Sequence, residues 1–547
     1  MRRVSATAFP ARTPPRALLL LAFLLASLAT AAALPVEPVL AVSVRTVSRS
    51  DNSGKRGPCE QLADRGGVGV VLMPFSEEYR AALSGSWSPN AQELRPLCVV
   101  RPSTAAHVAA LLRQATEAGF SVTPRGGGHT LRSADSTSVM LDLSELKEIR
   151  YREDAEGRMV ASVQGGAHMG ALVQAGEGNG WGVPVGTHPA PGFGLLTQGG
   201  VGYLSRQEGL TLDHILSIEV AVPSGEVLTL SEDSTGREGD LWWAVRGAAP
   251  FFGVVTGAEL QAVNISAGIY VHAAAYELTQ ARLATYLSAS PTLPRGVSVH
   301  CLVGRAEARD AEITLYATVW PPGEDAADVA AAALAPYGEP FFVGYDGVYP
   351  YSQTPPLAPL AQPAPRGGAP ARGHLHSGRC LDRLGETRVF GGTSGLFMRP
   401  VRDATAAAAA LLGVFQWCPS RMCGIDFQQA GGAVGDVPPS EMAFGQRSWE
   451  WNVVFHGNWL EGTSDGSLES EWIRRAARAA IAVPGLVSGY YAVDIGNNGP
   501  EGAPGLYSEF ARCVVPNTPS RPTVQLATVS MLPQVVWMHT VDYLELE

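Results

Sequence analysis

Apolar residues recur at helical spacing in "RPSTAAHVAALLRQATEAGF", where Val108, Leu111, Leu112 and Ala115 fall on one face. Ser103 offers a cap at its start and Gly119 a stop at its end. "FSVTP" then reads as a short strand, and "VMLDLSEL" as the next one. "MVASVQGGAHMGALVQAGEGNG" predicts a strand, a pair of glycines and a helix. "ILSIEVAVPSGEVLTLSE" predicts a hairpin with Ser224 and Gly225 in its turn. From about residue 266 the texture changes. "QTPPLAPLAQPAPRGGAPARGH" is a loop or insertion rich in Pro, Ala and Gly. "DATAAAAALLGVFQW" and "LESEWIRRAARAAIAVPG" predict helices, and "SWEWNVVFHGNW" a strand with Trp449, Trp451, Val453 and Phe455 on one side. Strands and helices that do not alternate strictly predict an α+β pair of domains.

Between the first two of these strands stands "TPRGGGHTLRSAD". Three consecutive glycines cost backbone entropy, so they point to a close approach of the backbone to something. A dinucleotide fold of the Rossmann type needs a helix to open directly after such a turn. Here polar, turn-like residues follow, which excludes it, although glycine amides form an anion nest without a helix. Further clusters follow in "VQGGAHMG", "VGTHPAPGFG", "LTQGGVGY" and "VRGAAPFFGVVTG". One cluster is a turn; a succession of them suggests a long backbone cradle for an extended, phosphate-bearing ligand.

The chain has 547 residues with a formal net charge of −11, which argues against a nucleic-acid partner. Arginines 2, 3, 12 and 16 precede an apolar run that ends in Ala31 to Ala33, the pattern of a secretory signal peptide over residues 1–33. A signal anchor or a plastid transit peptide is the alternative. No later stretch is long and apolar enough to span a bilayer. Seven cysteines in a secreted chain should pair in part, leaving at least one over; spacing alone fixes no pairing, and none lies at zinc spacing with histidine. Asn264-Ile265-Ser266 is a glycosylation sequon.

The ordered set "PRGGGHT" (124–130), "VQGGAHMG" (163–170), "GTHPAPGFGLLTQGGVGYLSRQEGLTLDHILSIEVAVPSGEVLTL" (186–230) and "DLWWAVRGAAPFFGVVTGAEL" (240–260) resembles the FAD-linked oxidases of the vanillyl-alcohol oxidase/para-cresol methylhydroxylase (PCMH) fold, in the berberine-bridge-enzyme-like branch. "GGAVGDVPPSEMAFGQRSWEWNVVFHGNW" (431–459) is similar to that family's substrate domain. The resemblance implies a PCMH-type FAD-binding domain over 93–265 after a leader at 34–92. A substrate domain of antiparallel sheet covered by helices follows over 266–481, then a return segment and tail over 482–547. It implies an FAD whose pyrophosphate lies on Arg125, Gly126, Gly127 and Gly128, and a covalent bond from His129 to the flavin 8α-methyl. Thr130, Gly166, Thr187, His188, Gly199, Gly200, Gly202, Gly253 and Val255 complete the implied cofactor contacts.

The chain departs from the family at several positions. His188 stands where many relatives carry a cysteine that makes a second flavin bond, so a thioether link is excluded. His188 either lies against the flavin or only fills the cysteine's space. Pro191 lies in the region that helps decide whether oxygen reaches the flavin, and it leaves that question open. Ala492 stands where an asparagine is expected, and the last residues do not resemble the family's ending. On the substrate side the implied proton-removing group is Tyr490 aided by Arg447, with Tyr491 the alternative. Asp426, Gln428 and Arg447 are each catalytic or structural, and the Trp449/Trp451 stripe either stacks on a ring or is core. The expectation is a secreted FAD-dependent oxidoreductase acting on an alcohol or hemiacetal of a small carbohydrate-like or aromatic substrate. Oxygen is the expected acceptor. A quinone-type acceptor, or a binding protein that keeps the fold without catalysis, is the rival.

Overall fold

The structure, a computed structural model, describes residues 56–86, 89–129, 131–306, 309–354 and 389–491. Contacts divide the chain into two compact units, Met1–Gly57 and Pro58–Glu547, and the fold below belongs to the second. The expected signal sequence, Thr130, most of the proline-rich stretch, Ala492 and the tail lie outside the described residues.

The helix at 105–118 forms as its periodicity requires, with Val108, Leu111, Leu112 and Ala115 buried. Its cap is Thr104 rather than Ser103: the Thr104 hydroxyl accepts from the His107 amide at 3.2 Å. Gly119 closes it in the left-handed conformation at φ 73°. Beside it lie β1 (Val70–Leu72), β2 (Val99–Arg101), β3 (Val122–Arg125) and β4 (Val139–Asp142), in the order β1-β2-β4-β3. β4 runs parallel to both neighbours, while β1 pairs antiparallel with β2. Residues 58–72, part of the expected leader, are therefore folded into this layer.

The next layer holds β5 (Ile149–Glu153), β6 (Met159–Gln164), β7 (Trp181–Gly182), β8 (Ile215–Ala221), β9 (Val227–Ser231), β10 (Val254–Gln261) and β11 (Val263–Asn264). Five of them form an antiparallel sheet, β5-β6-β10-β8-β9, and β7 pairs with β11. The β8–β9 hairpin turns at Gly225 (φ 90°), as its sequence predicts. Asn264 is exposed at the end of β11, and its side-chain oxygen accepts from the Ser266 amide at 3.0 Å.

The remainder forms one eight-stranded sheet from β12 (Ile269–Glu277), β13 (Val297–Ala306), β14 (Arg309–Val319), β15 (Phe342–Tyr349), β16 (Val389–Met398), β17 (Gly424–Gln429), β18 (Trp451–Leu460) and β19 (Val487–Tyr490). Its order is β15-β12-β14-β13-β17-β18-β16-β19, and every pairing is antiparallel. Alternation divides its side chains between two cores. Ile425, Phe427, Trp451, Val453 and Phe455 pack with the helices 280–289, 326–334, 404–415 and 467–482. Phe397, Val271, Ala273 and Tyr316 pack instead with the five-stranded layer. The tryptophan stripe splits at this boundary, because Trp449 precedes β18. Trp451 belongs to the helical side, whereas Trp449 stacks on Phe397 with centroids 4.3 Å apart. Both tryptophans are core.

Two buried ion pairs fasten the sheet to the preceding layers. Arg206 pairs with Glu450 and donates to the Ala430 carbonyl at 2.8 Å. Arg447 grips both carboxylate oxygens of Asp213, at 2.9 and 3.0 Å.

Candidate functional site

The glycine-bearing segments, far apart in sequence, meet in space. A Cβ on Gly127 would strike the backbone of Ala190 and Gly192, and one on Gly165 the backbone of Val255 and Thr256. A Cβ on Gly126 would lie 3.3 Å from the Gly165 carbonyl. The segments touch as bare backbone, which only glycine permits here. Hydrogen bonds lock the contact: Gly165 N–H to Thr256 O at 2.8 Å, Met169 N–H to Pro191 O at 2.9 Å, and Gly170 N–H to Pro189 O at 3.0 Å.

Within this junction the amides of Gly126, Gly127 and Gly128 donate to no group among the described residues. Gly127 and Gly128 are buried, and Gly128 turns the chain at φ 63°. Unpaired buried amides are rare and costly. Three in succession, one of them left-handed, form the concavity that takes a phosphate oxygen. An FAD fits this cradle: the loop would hold its pyrophosphate, and His129, directly after it, would face the ring system. The Arg125 side chain turns away from the loop. Its guanidinium is buried, pairs with Asp142 at 2.7 Å and reaches the Ala82 carbonyl, so it ties the helix Glu77–Ser84 to β4.

His129 and His188 stand edge to face, with ring centroids 5.0 Å apart. One residue orients their surroundings: the Ala190 amide donates to His188 Nδ1 at 3.1 Å, and its carbonyl lies 2.6 Å from His168 Nδ1. His188 Nδ1 is thereby an acceptor, and His168 Nδ1 a donor. Burial, aided by the charge of His168, pushes the His129 imidazole down to about 4. It is neutral at physiological pH, with a nitrogen lone pair to offer.

Of the remaining cofactor candidates, Gly166 and Gly202 press against the carbonyls of Leu143 and Val185, Gly253 against that of Ala221, and Val255 is core. Thr187 is half-buried beside His188. Gly199 and Gly200 lie across from the sheet's last strand. The Gly200 amide donates to the Tyr491 hydroxyl at 2.8 Å, and Tyr491 is 2% exposed. Tyr490, paired with Leu396 across β19 and β16, packs on the helical side of the sheet instead. The neighbouring tyrosines thus face opposite layers, and the second of them reaches the glycine segment. Arg447 is committed to Asp213, so its cation is already compensated.

Asp426 and Gln428 lie on the β17 face opposite Ile425 and Phe427, the face turned from the helices. They form a chain: Asn452 Nδ2 donates to Gln428 Oε1 at 2.9 Å, and Gln428 Nε2 to Asp426 Oδ2 at 3.1 Å. Asn452 and His300 were missed in the sequence. Strand period alone would have found them, because each is a polar residue between apolar ones in "VSVHCLV" and "WEWNVV".

Burial pushes His456 down to about 4 and His300, also near Arg206, to about 3. Unfolded histidine titrates near about 6.5. As pH falls, the unfolded chain takes these protons first, so stability is full above about pH 6.5 and declines between about 6.5 and 3. Urea midpoints should fall from pH 7 to pH 5; an unchanged midpoint would contradict the burial of neutral imidazoles.

Residues 96–231 match a family of sequences described as an FAD binding domain. The chain is 34% identical over 228 residues to (R)-6-hydroxynicotine oxidase of Paenarthrobacter nicotinovorans, covering 41% of this chain and 45% of that protein. It is 29% identical over 211 residues to the glucooligosaccharide oxidase of Sarocladium strictum, covering 36% and 41%. It therefore matches less than half the length of these relatives. Among solved structures, a Physcomitrella patens protein described as BBE-like 1 superposes with a TM-score of 0.64 at 19% identity, over 80% of this chain and 91% of that one. Residues 96–231 are accordingly an FAD binding domain, in a chain with the fold of the berberine-bridge-enzyme-like proteins of the PCMH type.

Proposed function

We propose that this chain is a secreted, FAD-dependent oxidoreductase that oxidises an alcohol or hemiacetal of a carbohydrate-like or aromatic small molecule and passes the electrons to oxygen. The observation that carries this reading is the run of three amides, Gly126 to Gly128, that have no partner among the described residues and lead directly to the His129–His188 ring contact. The FAD binding domain and a relative named for oxidising an oligosaccharide support it. Secretion is supported by disulfides Cys59–Cys98 and Cys418–Cys423 and by the apolar run at the amino terminus. No described helix is long and apolar enough to cross a membrane.

FAD, when bound, supplies a two-electron acceptor for the hydride of the alcohol carbon. The protein must orient the substrate and receive its hydroxyl proton. We assign the proton to Tyr491, whose oxygen sits at the glycine segment, in preference to Tyr490 on the helical side. The Asp426–Gln428–Asn452 chain offers carboxylate and amide partners to substrate hydroxyls. His129 is the residue for covalent attachment, and with imidazole at position 188 we propose a single link.

Anaerobic mixing with a panel of oligosaccharides and aromatic alcohols tests this. Bleaching of the flavin by at least one of them, then peroxide release when oxygen is readmitted, is expected. Bleaching that only a quinone reverses would make the chain a dehydrogenase. A purified chain without flavin would be a binding protein.

A further inference from the structure

We propose that His300 is a specificity-determining residue of the substrate site, where its imidazole and the Arg206 Nε–H together take up one hydroxyl oxygen of a polyhydroxylated substrate. This rests on the reading of the chain as an alcohol-oxidising flavoprotein.

His300 lies in β13, paired with Tyr316 of β14. The register that sets Leu302 opposite Asp426 carries His300 to the level of Gln428, which pairs in turn with Asn452. His300 therefore shares a face with the Asp426–Gln428–Asn452 chain and continues it by one strand. Tyr203, from the glycine-bearing segment, meets the His300 ring edge on at 4.9 Å and stacks on Tyr316 at 5.2 Å. The same turn carries Arg206, whose charge bears on His300.

The imidazole is fully buried, and neither of its nitrogens has a hydrogen-bond partner among the described residues. The Arg206 guanidinium is buried too; its terminal nitrogens are bound to Glu450, Ala430 O and Leu293 O, yet its Nε–H has no partner among the described residues. Both groups carry unmet hydrogen-bonding capacity among the described residues, which costs free energy, and Tyr203, three residues before Arg206, holds the two close enough for the guanidinium charge to act on the imidazole. A neutral imidazole offers one donor and one acceptor, and the guanidinium Nε only a donor. A hydroxyl complements this set, since it accepts from Arg206 and exchanges one further bond with His300. A site built this way rejects an analogue that lacks the hydroxyl far more strongly than an apolar pocket rejects a missing methylene.

The test compares wild type, His300→Phe and His300→Gln as flavin-loaded proteins. The Phe variant keeps a flat ring and removes both nitrogens; the Gln variant restores a donor and an acceptor. Flavin reduction is followed with cellobiose, maltose and xylobiose, and with monodeoxy analogues of whichever sugar reacts. Equilibrium binding of xylitol is read as a change in flavin absorbance. His300→Phe should raise KM and weaken xylitol binding by about tenfold or more, with a smaller change in maximal rate, and His300→Gln should recover part of the loss. On one monodeoxy analogue the difference between wild type and variant should disappear, which a merely structural histidine would not produce. If His300→Phe does not fold, the comparison on deoxy analogues with His300→Gln decides the matter. A sugar oxidised equally well by wild type and variants overturns the assignment of His300 alone, leaving that histidine as the seat of a structural water. Xylitol bound through His300 without oxidation of any sugar upholds it and removes the carbohydrate part of the proposed function. Neither binding nor oxidation by the wild type overturns the assignment of His300 together with the carbohydrate part of the proposed function, while bleaching by an aromatic alcohol would leave the flavoprotein reading standing.

Discussion

Replacing His129 with alanine should give a protein that loses all of its flavin on acid precipitation, whereas the wild-type pellet stays yellow. Three observations lead to this result. His129 directly follows the three unpartnered amides of the cradle, so a pyrophosphate held there brings the rest of the cofactor to its ring. Burial holds the imidazole neutral down to about pH 4, which keeps a nitrogen lone pair available for bonding. His188, in ring contact at 5.0 Å, occupies the position from which a cysteine would form a second bond, and imidazole cannot form a thioether. His188→Ala should therefore leave the pellet yellow. A covalently attached imidazole withdraws electrons from the ring system, so any His129→Ala protein that retains flavin non-covalently should also be reduced more slowly. A colourless wild-type pellet would remove the covalent bond from the account, and a yellow His129→Ala pellet would move it to another residue.

Tyr491→Phe should slow anaerobic flavin reduction by about 10²–10⁴-fold, the range associated with loss of a general base. Tyr490→Phe should stay near the wild-type rate. A carbinol carbon gives up hydride readily only as its oxygen gives up a proton, so a proton acceptor must stand where the two layers meet. The end of β19 and the residue after it turn their tyrosines to opposite faces. Tyr490 faces the helical core through its pairing with Leu396, while Tyr491 contacts Phe397 at 5.3 Å and accepts from the Gly200 amide. Phenylalanine preserves the packing of Tyr491 and deletes only the hydroxyl, so the flavin spectrum should not change. The reverse outcome, with Tyr490→Phe slow and Tyr491→Phe normal, would return the role to Tyr490. Wild-type rates in both would leave no tyrosine base.

The two tyrosines show where sequence reasoning stops. The motif "GYY" locates the return from one layer to the other, yet a register error of one residue reverses every side chain on a strand. Only the pairing of β19 with β16 decides which ring reaches the glycines. Arg447 shows a similar limit. Its place near the substrate side was legible, but its partner Asp213 lies 234 residues away and nothing local announces the pair. The helix at 105–118, the β8–β9 hairpin and the helical cover of the large sheet were legible because each rests on local periodicity or a turn residue. The glycine clusters were legible as a set, since several backbone approaches in one chain call for a shared ligand. The side-chain partner of Arg125 was not legible, because its adjacency to the glycines in sequence hides that its guanidinium turns back to Asp142. His300 needed the third dimension: a polar residue in an alternating strand says which face it takes, but not that both nitrogens are left without a partner there.

The most direct test of the account is a mass measurement on the wild-type protein digested with trypsin. Cleavage after Arg125 and Arg132 releases the peptide 126–132, which contains the glycine run and His129. The account predicts that this peptide carries the mass of one flavin, and that no other peptide does. Flavin mass on the peptide containing His188, or a peptide 126–132 found only in its unmodified form, would contradict it.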